Sequence, residues 1–136
     1  MDNILASLAI VADCLNLNKI SEKFFLNCNL PEGRGDYKYI RINKKNIHLI
    51  DESYNSNPLS LEFALNNFNK LKSNSKRKII LLGDMLELGK FSKKLHLEAA
   101  EIVNNTDINK VYVYGKKIAY TFNKIRPQKK GKILYS

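Results

Sequence analysis

The feature that most constrains the fold is a change of rhythm from about residue 47 onward, where short apolar runs alternate with segments of helical apolar spacing. Residues 47–50 read as a strand, and residues 57–71 place Leu61, Ala64, Leu65, Phe68 and Leu71 on one helical face, opened by an Asn57-Pro58 start signal. Residues 78–82 form a nearly continuous apolar run, the mark of a parallel strand covered on both faces. Ser92 is the expected cap of a helix reaching about residue 104, with Leu95, Ala99, Ile102 and Val103 inward. Residues 111–114, 116–125 and 132–135 then read as strand, helix and strand. This alternation predicts an α/β domain, a largely parallel sheet flanked by crossover helices. Ligands of such sheets gather where strand ends meet helix starts. Loops 51–57 and 83–91 and the turn at Gly115 are therefore the segments of interest.

The preceding part of the chain differs. Ile4, Leu5, Leu8, Val11, Ala12 and Leu15 recur at helical spacing over residues 3–17, and a second short helix is expected over 21–26. Residues 30–36 concentrate Pro and Gly and mark a candidate domain boundary. Residues 37–42 and 47–50 then pair as a hairpin around a turn at 43–46. A chain of 136 residues buries about two-thirds of its unfolded surface, enough for a core without disulfides. Cys14 and Cys28 are too few and too far apart for a redox pair or a zinc site. There is neither a long apolar span nor a signal-type N-terminus, so a soluble intracellular protein without a membrane span is expected.

The formal charge of +10 permits a nucleic-acid partner, and residues 108–136 hold eight basic side chains and no acidic one. The lysine excess accompanies abundant Asn and Ile, a mixture favoured by AT-rich codons. A solvated basic face, including Lys129, Lys130 and Lys132, is thus the reading of this tail.

Loop 51–57 packs two carboxylates, a phenol, two amides and two hydroxyls between a strand and a helix. Asp51 can accept from ribose hydroxyls, Tyr54 can stack on a base and Asn55 can bond its edge, although Asn57 reads first as a helix cap. Gly83 and Gly89 bracket a second loop, where glycine allows close backbone approach or positive φ. No Gly-x-x-x-x-Gly-Lys-Ser/Thr phosphate loop occurs in the chain. Arg34, between Gly33 and Gly35, is one of four arginines and suits phosphate or carboxylate recognition. His48 and His96 have no second ligand at metal spacing, so no metal site is expected.

Four segments in order, the residue 3–9 helix start, Gly33-Arg34-Gly35, the run from Asp51 to Pro58, and the run from Gly83 to Gly89 followed by His96, resemble the Mur ligase family. They are most similar to the branch that joins D-alanyl-D-alanine to a UDP-MurNAc-tripeptide. The resemblance implies an ATP- and Mg2+-dependent amide ligase of bacterial peptidoglycan synthesis, cytoplasmic and monomeric. ATP would phosphorylate the tripeptide's carboxylate, giving an acyl phosphate that the D-Ala-D-Ala amine attacks.

It also implies that residues 1–35 are the end of a central ATP-binding domain with its hinge. Residues 36–136 would be most of a Rossmann-like C-terminal domain. Asn3 would then lie near adenine, with Arg34, Asp51, Tyr54, Asn55 and Asn57 along the nucleotide crevice. Gly83, Asp84, Glu87, Gly89 and His96 would form the substrate-side loop. The phosphate loop, the Mg2+ ligands and the N-terminal sugar-binding domain are not in this sequence, so the chain by itself is expected not to turn over ATP. Two other readings stand beside this one, a basic binding module for nucleic acid and an inactive remnant of a ligase.

Overall fold

Three strands, β3 (Ile79–Gly83), β4 (Lys110–Tyr114) and β5 (Lys130–Leu134), lie parallel in that spatial order. Parallel neighbours need long crossovers, and the helices α3 (Ser92–Asn104) and α4 (Ile118–Lys124) supply them. The computed structural model describes residues 2–14, 16, 21, 23, 31–71 and 77–135, with side chains from Ala6 onward. It divides into two compact units, residues 1–31 and 32–136. In the first, α1 (Asp2–Ala12) takes up much of the helix expected over 3–17, with Leu8 and Val11 half-buried. Most of the helix expected over 21–26 lies outside the described residues, as does the loop expected to close the helix near residue 73.

The second unit holds the core. Leu61 and Leu65 of α2 (Pro58–Lys70), Ala99, Ala100 and Val103 of α3, and Ile118 of α4 meet Leu82, Val111 and Val113 of the sheet. Asn57 caps α2 as its sequence predicts: its side chain accepts from Ser60 N at 2.9 Å, while Ser60 Oγ accepts from Asn57 N at 2.9 Å.

The structure corrects four expectations. The strand at 47–50 does not join the parallel sheet. It belongs to β2 (Lys45–Asp51), which pairs antiparallel with β1 (Asp36–Ile42) as a separate two-stranded sheet. The turn is the two residues Asn43 and Lys44, both at positive φ, a geometry whose twist matches that of the strands it joins. β3, expected to be covered on both faces, buries Leu82 but leaves Leu81 62% exposed. The reason is that the described helices share one core on one side of a strand at the sheet edge.

Ser92 is the first residue of α3 rather than its cap, because a 3-10 turn over Gly89–Phe91 runs directly into the helix. Lys129, assigned to a solvated face, is buried. Its ammonium donates to the carbonyls of Val103 (3.1 Å), Asn104 (3.0 Å) and Thr106, at the C-terminal end of α3 where helix carbonyls lack partners. Desolvation pushes its pKa below the ordinary lysine value, and the nearby Arg126 acts in the same direction.

Candidate functional site

Gly33, at φ +79, turns the chain back so that its carbonyl accepts from Tyr54 N at 3.1 Å. A Cβ at Gly33 would stand 2.8 Å from Tyr54 N, so only glycine permits this approach. Gly35 N donates to Asp51 O at 2.8 Å, and Gly33 N donates to the Asp36 carboxylate at 2.8 Å. The boundary turn is thereby fastened onto loop 51–57. The two segments were separate candidates in the sequence, and the backbone makes them one surface.

Arg34 lies over the Tyr54 ring, its guanidinium carbon 4.2 Å from the centroid. Both side chains are exposed, and with Glu52, Asn55, Asn57 and Ser60 they line a cleft of about 330 Å3. A planar cation on an aromatic face, beside amides and hydroxyls, is a donor set that suits a nucleotide: stacking for a ring and charge for phosphates. Asn57 contributes less than its position suggests, because its side-chain oxygen is committed to the helix cap. Asn55 accepts from Ser56 N at 2.8 Å.

Asp51 is beside the cleft but engaged elsewhere. Its carboxylate accepts from Ser53 N at 3.1 Å and faces Lys38 Nζ at 3.6 Å. Hydrogen bonds from Ser53 hold its pKa below the ordinary 3.8, with a smaller contribution from Lys38. Asn3 lies on α1, and its side chain is outside the described ones. A wider groove of about 630 Å3, lined by Leu59, Glu62, Glu98 and Glu101 among others, runs along α2 and α3 and holds none of the candidate ligand-binding residues.

The second loop leaves the carboxyl end of β3. Asp84 Oδ1 accepts from Ile118 N at 2.7 Å, tying this loop to the first residue of α4. Met85 sends its side chain into the core, 1% exposed, a burial worth roughly 1.5–3 kcal/mol. Its N–H donates to His96 Nε2 at 3.1 Å. Beyond this anchor Leu86 and Glu87 are exposed, with Glu87 at φ 59, a region that side chains with a Cβ seldom occupy. Gly89 follows at φ 53.

His96 itself is fully buried behind the loop, so of the substrate-side candidates it is Glu87 that the loop displays. Sequence reasoning missed Ser60, Glu52, Met85 and Ile118. Ser60 was legible as the third residue of a capped helix; a buried methionine and a backbone donor leave no comparable mark.

No three His, Cys, Asp or Glu side chains gather as a metal site among the described residues, and no described helix is long and apolar enough to cross a membrane.

The family described as Mur ligase, glutamate ligase domain, matches residues 38–133. The UDP-N-acetylmuramoyl-tripeptide--D-alanyl-D-alanine ligase of Rickettsia prowazekii is 33% identical over 105 residues, covering 77% of this chain and 22% of that protein. The Bacillus subtilis enzyme of the same name is 34% identical over 74 residues, 54% of this chain and 16% of its own length. This chain thus spans about a fifth of these relatives. The crystal structure of MurF ligase from Thermotoga maritima in complex with ADP has the same fold, with a TM-score of 0.63 at 24% identity over 98% of this chain and 27% of that one. The match across residues 38–133, the identity to these relatives and the shared parallel-sheet fold together show that the chain belongs to the Mur ligase family, as a C-terminal portion of the MurF type.

Proposed function

We propose that this chain is the C-terminal part of a cytoplasmic, monomeric bacterial ligase that adds D-Ala-D-Ala to UDP-MurNAc-tripeptide at the expense of ATP. In this reading residues 1–35 end the central ATP-binding domain and form its hinge, and residues 36–136 close over the nucleotide. The observation that carries it is the fastening of the Gly33–Gly35 turn to loop 51–57, which sets Arg34 over Tyr54 at the cleft. The names of the relatives supply the substrates.

ATP supplies the chemistry that turns a carboxylate, a poor electrophile with oxide as its leaving group, into one from which phosphate departs. The residues of this chain bind and orient. Arg34 gives a permanent cation to the phosphates, and Tyr54 a face for the base or ribose. Asn55 gives an amide, and Asp51 keeps loop 51–57 in shape through Ser53. The loop from Gly83 to Gly89, with Asp84 and Glu87, faces the incoming dipeptide. Magnesium and the phosphate-loop lysine belong to the upstream domain in this scheme, and no step here depends on them.

The test is to join the chain to the upstream domains of such a ligase and assay ATP hydrolysis. Hydrolysis should require both D-Ala-D-Ala and the tripeptide substrate; Arg34→Ala, which removes one charge-assisted contact, and Asp51→Ala, which loosens loop 51–57, should each lower it at least about tenfold. Full activity in both variants overturns the site assignment, and hydrolysis indifferent to D-Ala-D-Ala overturns the function.

A further inference from the structure

We propose that His96 is a positioning residue for the substrate-side loop, acting from inside the core, as the neutral tautomer with its proton on Nδ1, through the backbone N–H of Met85. The inference rests on the preceding reading for what the loop receives, but not for how the loop is held.

The tautomer follows from the partners. A peptide N–H can only donate, so the 3.1 Å contact between Met85 N and His96 Nε2 requires Nε2 to be an acceptor. A neutral imidazole then carries its single proton on Nδ1, and Nδ1 lies 2.7 Å from the Ser92 carbonyl oxygen, which can only accept. The Ser92 hydroxyl is farther, at 3.4 Å. Both ring nitrogens are thereby satisfied in a side chain with no exposed surface, and the backbone carbonyl of His96 is bonded by the Thr121 hydroxyl from α4. The ring is held on two sides and presents one acceptor to the loop.

That acceptor meets the loop at an informative position. Asp84 is tied to α4 and Met85 to α3, so two consecutive residues are fixed by two different helices. The chain then leaves the core at Leu86 and enters the positive φ of Glu87. A residue at φ 59 costs on the order of 1–3 kcal/mol and persists where its surroundings over-determine it. The His96 to Met85 bond is the buried fastening nearest to that residue in sequence. Without it the Met85 N–H would be a buried donor with no acceptor, and the loop could relax by swinging outward, carrying Glu87 with it.

The test uses the 136-residue chain, isotope-labelled, and compares wild type with two substitutions. Long-range proton–nitrogen NMR should show the His96 proton on Nδ1, with His48 as the internal reference ring. His96→Gln places an amide oxygen near the site of Nε2 and should keep the Met85 amide protected within about threefold of wild type. His96→Asn reaches only the Nδ1 site and should leave the fold cooperative while the Met85 amide exchanges at least tenfold faster.

A proton on Nε2, or equal protection of the Met85 amide in the Gln and Asn variants, overturns the proposal. In the longer ligase, His96→Asn should raise the KM for D-Ala-D-Ala about tenfold with the KM for ATP unchanged, and His96→Gln should restore it. A shift of both KM values together overturns the positioning role. If the NMR result holds but the longer protein ligates nothing, the ligase reading fails and the fastening of the loop by His96 stands.

Discussion

The two loops that meet helix starts are built on opposite plans. Loop 51–57 is held by backbone bonds to the Gly33–Gly35 turn, and the side chains that matter, Arg34 and Tyr54, remain outside on one another. Loop 83–89 is held by side chains turned inward, Met85 in the core and Asp84 on α4, with His96 gripping the backbone. The first can rearrange its contacts at small cost, since a surface cation–π pair is worth about 0.5–1 kcal/mol. The second cannot move without opening the core. A charged surface whose side-chain contacts are cheap to exchange suits a ligand that is gripped and released, whereas a loop anchored in the core suits one that must be aligned for attack.

Three comparisons test this contrast. The largest effect is expected from Gly115→Ala. Gly115 is at φ +132, and a Cβ there would collide with the Asp84 carboxylate that holds the second loop to α4. Strain and the lost bond together should remove about 3 kcal/mol from the unfolding free energy in urea. A loss as small as that expected for Gly89→Ala, which has positive φ but open space around it, would show that the second loop is not rigidly built.

The intermediate effect concerns Asn57, which the sequence offers both as a cap and as a ligand. Asn57→Ala should lower stability by about 1 kcal/mol, the usual value of a helix N-cap. Asn57→Ser or Asn57→Asp should restore stability and nucleotide affinity together if capping is its role. Restored stability without restored affinity would instead place Asn57 among the ligand contacts.

The smallest effect is a pH dependence. The Asp51 pKa is held below 3.8 by Ser53, so the stability it adds is fully present above that value and is lost as pH falls through the folded pKa. Wild type should therefore lose stability more steeply than Asp51→Asn below pH 3.8, with the two curves parallel above it. Curves parallel throughout would mean that the first loop owes nothing to this carboxylate.

Much of the fold was legible because it depends on local pattern. The helical spacing of Leu61, Leu65 and Phe68, the Asn57-Pro58 start, and the apolar runs at 78–82 and 111–114 each announce an element within a few residues of its place. The candidate site is marked in the sequence for a similar reason: glycines flanking an arginine, and polar residues crowded between a strand and a helix, are local signals. What they did not tell is which side chains are spent inside the protein. Lys129 looks like any lysine of a basic tail, yet it closes the end of α3. His96 looks like a loop ligand, yet it is a buried strut.

By itself, then, the sequence determined the order of elements, the turn chemistry and the identity of the two loops, since these rest on spacing, backbone preference and residue chemistry within short windows. Long-range contacts alone reveal that the hairpin stands apart from the parallel sheet, that Arg34 meets Tyr54 and that His96 reaches Met85. Each of these is a contact between segments distant in sequence, settled by which faces can be buried together and which polar groups must find a partner once water is excluded.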